Sequence, residues 1–242
     1  MDHSANIKVM TYNIHHGKGT DGTVSLGRVA EVLAESNADI IGLIEVDKHF
    51  SKRSHYIDQL AFLAKELNFH YVFSPSITRK PTHNYGIRQY GNGLLSRYPI
   101  CNSNHYVLDC IPYLVEGRSI LEASIDINQK FVNIYVTHLS LYPFLHKKQR
   151  EYLLNKAVNP AVILGDWNMR ANSRRWKKMT QHFQDAWKTK STKPGHTYPS
   201  SNPRFRFDYI FASECVKINE AEVFDYNPAA SDHLPVLADL EI

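Results

Sequence analysis

Cysteine is scarce: 242 residues contain three, Cys101, Cys110 and Cys215, with no CxxC pair among them. An odd count at wide spacing argues against a disulfide framework and against a zinc knuckle, and leaves free thiols in a reducing compartment. No apolar run approaches the roughly 20 residues that a membrane-crossing helix requires. The opening Met1-Asp2-His3-Ser4-Ala5-Asn6 is too polar for a secretory leader. A cytoplasmic chain without stable membrane insertion is the expectation. Low-complexity linkers and short-period repeats are also missing, which speaks against a solenoid and against two tethered domains. Charge is nearly balanced, with 28 Lys and Arg against 24 Asp and Glu for a net +4. That mild basic excess suits a phosphate-bearing substrate without requiring one.

What is present is an ordinary globular composition, 43% hydrophobic, 12% aromatic and 21% charged. Its length fits one large α/β or α+β domain spanning 1–242. Residues 7–14 read as a strand, and apolar positions 26, 29, 30 and 33 have a helical period. Residues 38–46 read as a buried strand and 56–67 as a second helix, a βαβ opening that implies two neighbouring parallel strands. From 71 to 131 short strand candidates alternate with turn signals such as Gly91-Asn92-Gly93 and Tyr98-Pro99, the pattern of antiparallel hairpins. Strands follow at 131–137 and 161–165, helices at 143–156 and 173–179, a polar loop at 191–206 and strands at 207–211, 216–224 and 234–240. The order predicts an α/β fold in which two mixed sheets pack face to face with helices outside.

Two runs stand out, Gly165-Asp166-Trp167-Asn168 and Ser231-Asp232-His233, each set against an apolar strand. Asn13, Glu45 and His138 likewise terminate or abut strand-like runs. Ligand sites in α/β sheets collect at the carboxyl ends of strands, so neighbouring strands would bring these side chains to one pocket. Glu45, Asp166 and Asp232 offer carboxylates, and Asn13 and Asn168 offer amide oxygens. An oxygen-only donor set suits Mg²⁺ or Mn²⁺ rather than zinc. His138 and His233 could bind a phosphoryl oxygen or move a proton near neutral pH, and Asp208 could orient such a histidine. Taken singly, each has a blander reading: a strand-end charge, a core histidine, or a helix cap at Asp166.

In order along the chain, Thr11-Tyr12-Asn13-Ile14, Ile44-Glu45-Val46, Asn92-Gly93 through Ser96-Arg97-Tyr98-Pro99, Thr137-His138-Leu139, Gly165-Asp166-Trp167-Asn168, Phe207-Asp208-Tyr209-Ile210 and Ser231-Asp232-His233 resemble the endonuclease/exonuclease/phosphatase superfamily, the DNase I-like metal-dependent phosphoesterases. The resemblance spans residues 11 to 233. It implies a four-layer α/β sandwich and a Mg²⁺- or Mn²⁺-dependent phosphoester hydrolase, most simply a phosphodiesterase, using in-line attack by water. Glu45, Asn13 and Asp232 would form the metal site. Asp166 would position or activate the water, and Asn168 would orient it or hold a phosphate oxygen. His138 would donate to phosphate, and His233 paired with Asp208 would do acid/base work, with the base left open between Asp166 and His233. Arg118, Asn92 and His15 complete the set as substrate-binding candidates. The substrate would be a nucleic acid, an inositol phosphate or a phospholipid headgroup. A nuclease is the alternative activity, and a non-catalytic phosphate-binding module the further one.

Weaker features are the basic run Arg170, Arg174, Arg175, Lys177 and Lys178, either a phosphate track or a solvated face, and Tyr85 to Tyr90, a candidate substrate loop. Trp167 is expected to pack. Thr137-His138-Leu139 departs from the Pro-Asn pair of the abasic-site endonuclease branch.

Overall fold

Strand alternation determines which residues face which layer. In the computed structural model, which describes residues 4–81, 85–108 and 116–242, Val9 and Ile40 point one way and Met10 and Ile41 the other. Cys110 and part of the 71–131 stretch lie outside the described residues; Cys101 and Cys215 are free and exposed. Among the described residues are twelve strands: β1 (Asn6–Asn13), β2 (Ile40–Lys48), β3 (His70–Arg79), β4 (Arg88–Ser96), β5 (Ile100–Leu108), β6 (Arg118–Ile127), β7 (Lys130–His138), β8 (Ala161–Asp166), β9 (Gln184–Asp185), β10 (Asp208–Ala212), β11 (Lys217–Val223) and β12 (Val236–Glu241). They form two six-stranded mixed sheets, ordered β11-β12-β1-β2-β4-β3 and β5-β6-β7-β8-β10-β9.

One face of each sheet meets the other sheet. Val9, Ile40, Ile44 and Leu94 of the first interlock with Val132, Val136, Leu164 and Ile210 of the second. The opposite face of the first sheet, with Met10, Tyr12 and Ile41, is covered by α1 (Leu26–Glu35) and α2 (Gln59–Leu67) through Val29, Leu33, Leu60 and Leu63. The opposite face of the second, with Tyr135, Ile163 and Phe211, receives Leu153 of α3 (Pro143–Lys156) and Met179 of α4 (Arg174–Met179). A short α5 (Ala186–Lys190) completes the helices. This is the expected sandwich of two sheets with helices outside. Caps follow simple chemistry: Ser25, Asp58 and Ser173 accept backbone N–H groups at the starts of α1, α2 and α4.

Several boundaries differ from the sequence reading. The helix expected from 56 starts at Gln59, because His55 and Tyr56 adopt φ of 54° and 55° and Asp58 caps the first turn. Within the polar loop at 191–206, Tyr198 and Phe205 pair as an antiparallel bridge.

Topology places the polar strand ends on one edge. β1 and β2 run parallel, as do β7 and β8, so Asn13, His138 and Asp166 lie where their strands finish, and Glu45, within β2, lies beside the end of β1 at Asn13. β10 and β12 run antiparallel to β8 and β1, so their first residues reach that same edge. Asp208 therefore lies directly opposite Asp166, and His138 lies opposite it on the other side.

Candidate active site

Glu45 owes its position to an irregularity in β2. Leu43 pairs with Gly93 and Val46 with Gly91, so β2 carries one residue too many, and Glu45 sits in the surplus with φ of 62°. Such a bulge redirects the side chain. The half-buried carboxylate accepts from Asn13 Nδ2 at 3.0 Å through Oε1. Asn13 Nδ2 is also 3.2 Å from Asp166 Oδ2, and Asn13 Oδ1 accepts the His15 N–H at 3.1 Å. Ser231 fixes this strand end by donating from Oγ to the Asn13 carbonyl at 2.7 Å.

Asp166 is the hub. It is buried, its Oδ1 accepts the Asn168 N–H at 3.0 Å, and its Oδ2 lies 3.5 Å from His138 Nε2 and 3.8 Å from His233 Nε2. Burial and the neighbouring Asp208 push its pKa up to about 7, against the pull of His233. Asn168, at φ 46°, donates from Nδ2 to the Leu139 carbonyl at 2.9 Å and to His138 Nε2 at 3.0 Å. Accepting that bond requires an unprotonated Nε2. Burial, then the charges of Arg118 and His233, hold His138 well below its ordinary pKa, so the ring is neutral.

His233 behaves oppositely. Its burial opposes charge, yet Asp208, through charge and a hydrogen bond, with help from Asp166 and Asp232, lifts its pKa to about 10. Its Nδ1 donates to Asp208 Oδ2 at 2.8 Å, and Thr197 Oγ1 donates to the same oxygen at 2.5 Å. The other oxygen, Asp208 Oδ1, is buried without a partner among the described residues. Arg206, two residues before Asp208, binds Asp185 at 2.7 Å.

The other expected residues vary in placement. Half-buried Asp232 lies 3.4 Å from His15 Nδ1, which brings both to the Asn13 side of the pocket. Arg118 pairs with Glu116 and is close enough to His138 to depress its pKa. Asn92 is buried with its amide donating to the Ser119 carbonyl at 2.9 Å, a bond that braces β4 against β6. Trp167 is fully buried, edge-on to Phe211 at 4.9 Å. Tyr85 stacks on Tyr56 at 4.0 Å.

Sequence reasoning missed Thr197, Tyr198, Ser231 as a strap, and His146. The Tyr198 ring lies 4.7 Å from the His233 ring. Buried His146 bonds through Nε2 to the Trp167 carbonyl at 2.8 Å, securing the Gly165–Asn168 turn from α3. Thr197 sat in a Pro- and Ser-rich loop that carried no periodic signal, so nothing local pointed to it.

Three carboxylates, Asp166, Asp208 and Asp232, thus act on the His233 imidazole, and Glu45 joins them through Asn13, whose Nδ2 reaches both Glu45 and Asp166. Ligand atoms of Asp166, Asp208 and His233 lie within 4.8 Å of one another and could hold a metal ion. Glu45 Oε2 and Asp232 Oδ2 have no hydrogen-bond partner among the described residues. Burial first, and then the negative charges of Asp208 and Glu45, raise the Asp166 pKa, so a cation placed here would relieve both. Hard oxygen donors with excess negative charge fit a divalent cation such as Mg²⁺ or Mn²⁺.

The chain belongs to the Endonuclease/Exonuclease/phosphatase family, whose sequence profile matches residues 10–233. Solved structures share the fold. The endonuclease/exonuclease/phosphatase from Beutenbergia cavernae superposes with a TM-score of 0.86 at 24% identity, covering 98% of this chain and 72% of that one. The mannosyl-6-phosphatase Bt3783 of Bacteroides thetaiotaomicron gives 0.70 at 17% identity, covering 97% and 99%. The human Nocturnin catalytic domain with bound sulfate gives 0.68 at 21% identity, covering 97% and 93%.

Proposed function

We propose that the chain is a single catalytic unit that hydrolyses phosphoesters, with phosphodiesters its main substrates, in a Mg²⁺- or Mn²⁺-dependent reaction. The observation that carries this reading is the convergence on Asp166 Oδ2 of Asn13, His138 and His233, at 3.2, 3.5 and 3.8 Å. Glu45, Asn13 and Asp232 would hold the cation, which supplies charge neutralisation to the phosphoryl group. Asp166 takes the proton of the attacking water, for which a carboxylate with a pKa near 7 is well suited. His233, protonated through the neutral range, serves as donor to phosphate and leaving group, with Asp208 and Thr197 fixing its ring. That division assigns the base to Asp166 and the acid to His233. Asn168 positions the water or a phosphate oxygen, and neutral His138 and Arg118 line the phosphate. His15 forms the rim beside Asp232, and Asn92 contributes by shaping the wall behind Ser119.

Two of the structural neighbours support the reading: one is a mannosyl-6-phosphatase, and the other, the Nocturnin catalytic domain, holds a sulfate anion. The decisive assay offers bis-p-nitrophenyl phosphate, oligonucleotides, inositol phosphates and phospholipid headgroups with Mg²⁺, with Mn²⁺ and with chelator. Hydrolysis that a chelator abolishes is the expected result. No metal-stimulated hydrolysis of any of them would overturn the proposal in favour of a non-catalytic phosphate-binding module.

A further inference from the structure

A cavity of about 440 Å³ is lined by none of the candidate site residues but by segments that adjoin them along the chain. Its walls are the segments that carry the site. Arg170 follows Asn168 by two residues, Arg206 precedes Asp208 by two, and His196 directly precedes Thr197. Lys188, Lys193 and Arg204 complete its cations, and no carboxylate appears among the described residues that line it. Arg206 is neutralised from behind by Asp185, and Arg170 rests on the Phe205 ring at 5.1 Å. Lys188, Lys193 and Arg204 form no ion pair among the described residues, so no carboxylate offsets their charge at the cavity wall.

Packing holds the loop behind one lining residue, Trp187. Gly195, at φ 65°, lets the backbone press against Trp187, where a Cβ would meet the indole at 2.5 Å. Trp187 Nε1 donates to the Lys193 carbonyl at 2.8 Å, which fixes the loop that presents Lys193. The size is that of a small-ligand pocket. Convergent unpaired cations without a carboxylate recognise an anion, and Arg and Lys recognise phosphate by charge-assisted hydrogen bonds.

We propose that this cavity is a second anion subsite, which seats a phosphate group that the substrate carries in addition to the one at the hydrolysed bond. The inference rests on the phosphoesterase reading and deepens it: preferred substrates bear at least two phosphates. A nucleotide chain and a phosphorylated polyol both supply that chemistry. Paired substrates separate them, the dinucleotide TpT with and without a 5′-phosphate, and an inositol bisphosphate against a monophosphate.

The test is kinetic. In the double variant Lys193→Ala, Arg204→Ala, the KM ratio between one-phosphate and two-phosphate members of a pair should shift about tenfold or more against the two-phosphate substrate, the scale of lost charge-assisted bonds. The pair that shows the shift identifies the source of the phosphate. An unshifted ratio in both pairs overturns the subsite while leaving the hydrolase intact. Binding is read without turnover by titrating inorganic phosphate and following tryptophan fluorescence. A response that Trp187→Phe removes and the double variant weakens supports the subsite, even if no substrate is hydrolysed. No such response in the parent protein, or one that the double variant leaves unaltered, overturns it.

Discussion

His233 and His138 lie on either side of Asp166 and carry opposite protonation states. The difference comes from partners: Asp208 holds a proton on His233, whereas His138 has Arg118 and a charged histidine beside it. The pH–rate profile should therefore be bell-shaped. Its acid limb follows Asp166 at about pH 7, moving lower as Mg²⁺ is raised because a dication favours the carboxylate. Its alkaline limb follows His233 near 10. Asp208→Asn should lower kcat by roughly 10²–10⁴ and draw the alkaline limb down by several pH units, both read from kcat/KM against pH. The sign for stability is the same. A raised histidine pKa contributes stability that is complete below about pH 6.5 and is lost as pH rises through about 10. Melting curves at pH 6 and 10 should thus differ more for the parent than for Asp208→Asn. Glu45→Gln should abolish metal-stimulated turnover with an unaltered circular dichroism spectrum; normal turnover would remove Glu45 from the metal site.

At the scale of elements, Gly42 marks a close approach between the two sheets. Gly42 on β2 faces Leu164 and Val136 of the second sheet, and a Cβ there would lie 2.9 Å from Leu164 Cβ. Gly42→Val should cost about 1–3 kcal/mol by overpacking, measurable as a lower urea midpoint with an unchanged slope. The strand and helix pattern was largely legible: the helical period at 26, 29, 30 and 33 falls within α1, and the helix at 143–156 appears with those bounds, since apolar period and a Pro in the first helical turn are local signals. The β2 bulge was not legible. Ile40 to Ile44 alternate regularly, and only the pairing with β4 reveals that Glu45 is surplus and leaves the alternation. Tyr56 failed as a helix start because a left-handed turn, invisible in apolar spacing, precedes Asp58.

Across the whole molecule, the site draws on both sheets, so ion binding should stabilise the assembly as a unit. At a free ion concentration near 100 times Kd, linkage gives about 2.7 kcal/mol, or roughly 5–10 °C for a chain of this size. Differential scanning calorimetry with Mg²⁺ and with chelator should show that rise for the parent and none for Glu45→Gln. Far-UV circular dichroism should be the same with chelator, because the three apolar clusters that hold the layers together contain no site residue except Trp167 of the Asp166 turn.

The sequence by itself determined the layered fold, the family and the residues of the candidate set. These follow from periodicity and from motifs whose order survives at low identity, both readable along one dimension. Tertiary structure alone decided that Asp208 faces Asp166 across β8 and β10, that Thr197 closes on Asp208, and that Arg118 bears on His138. It also decided that Asn92 is committed to Ser119 and that cations from separate segments, Arg170, Lys188, Lys193 and Arg204, line one cavity. The protonation of each histidine depends on which charges lie within a few ångströms, and chain spacing does not encode that distance.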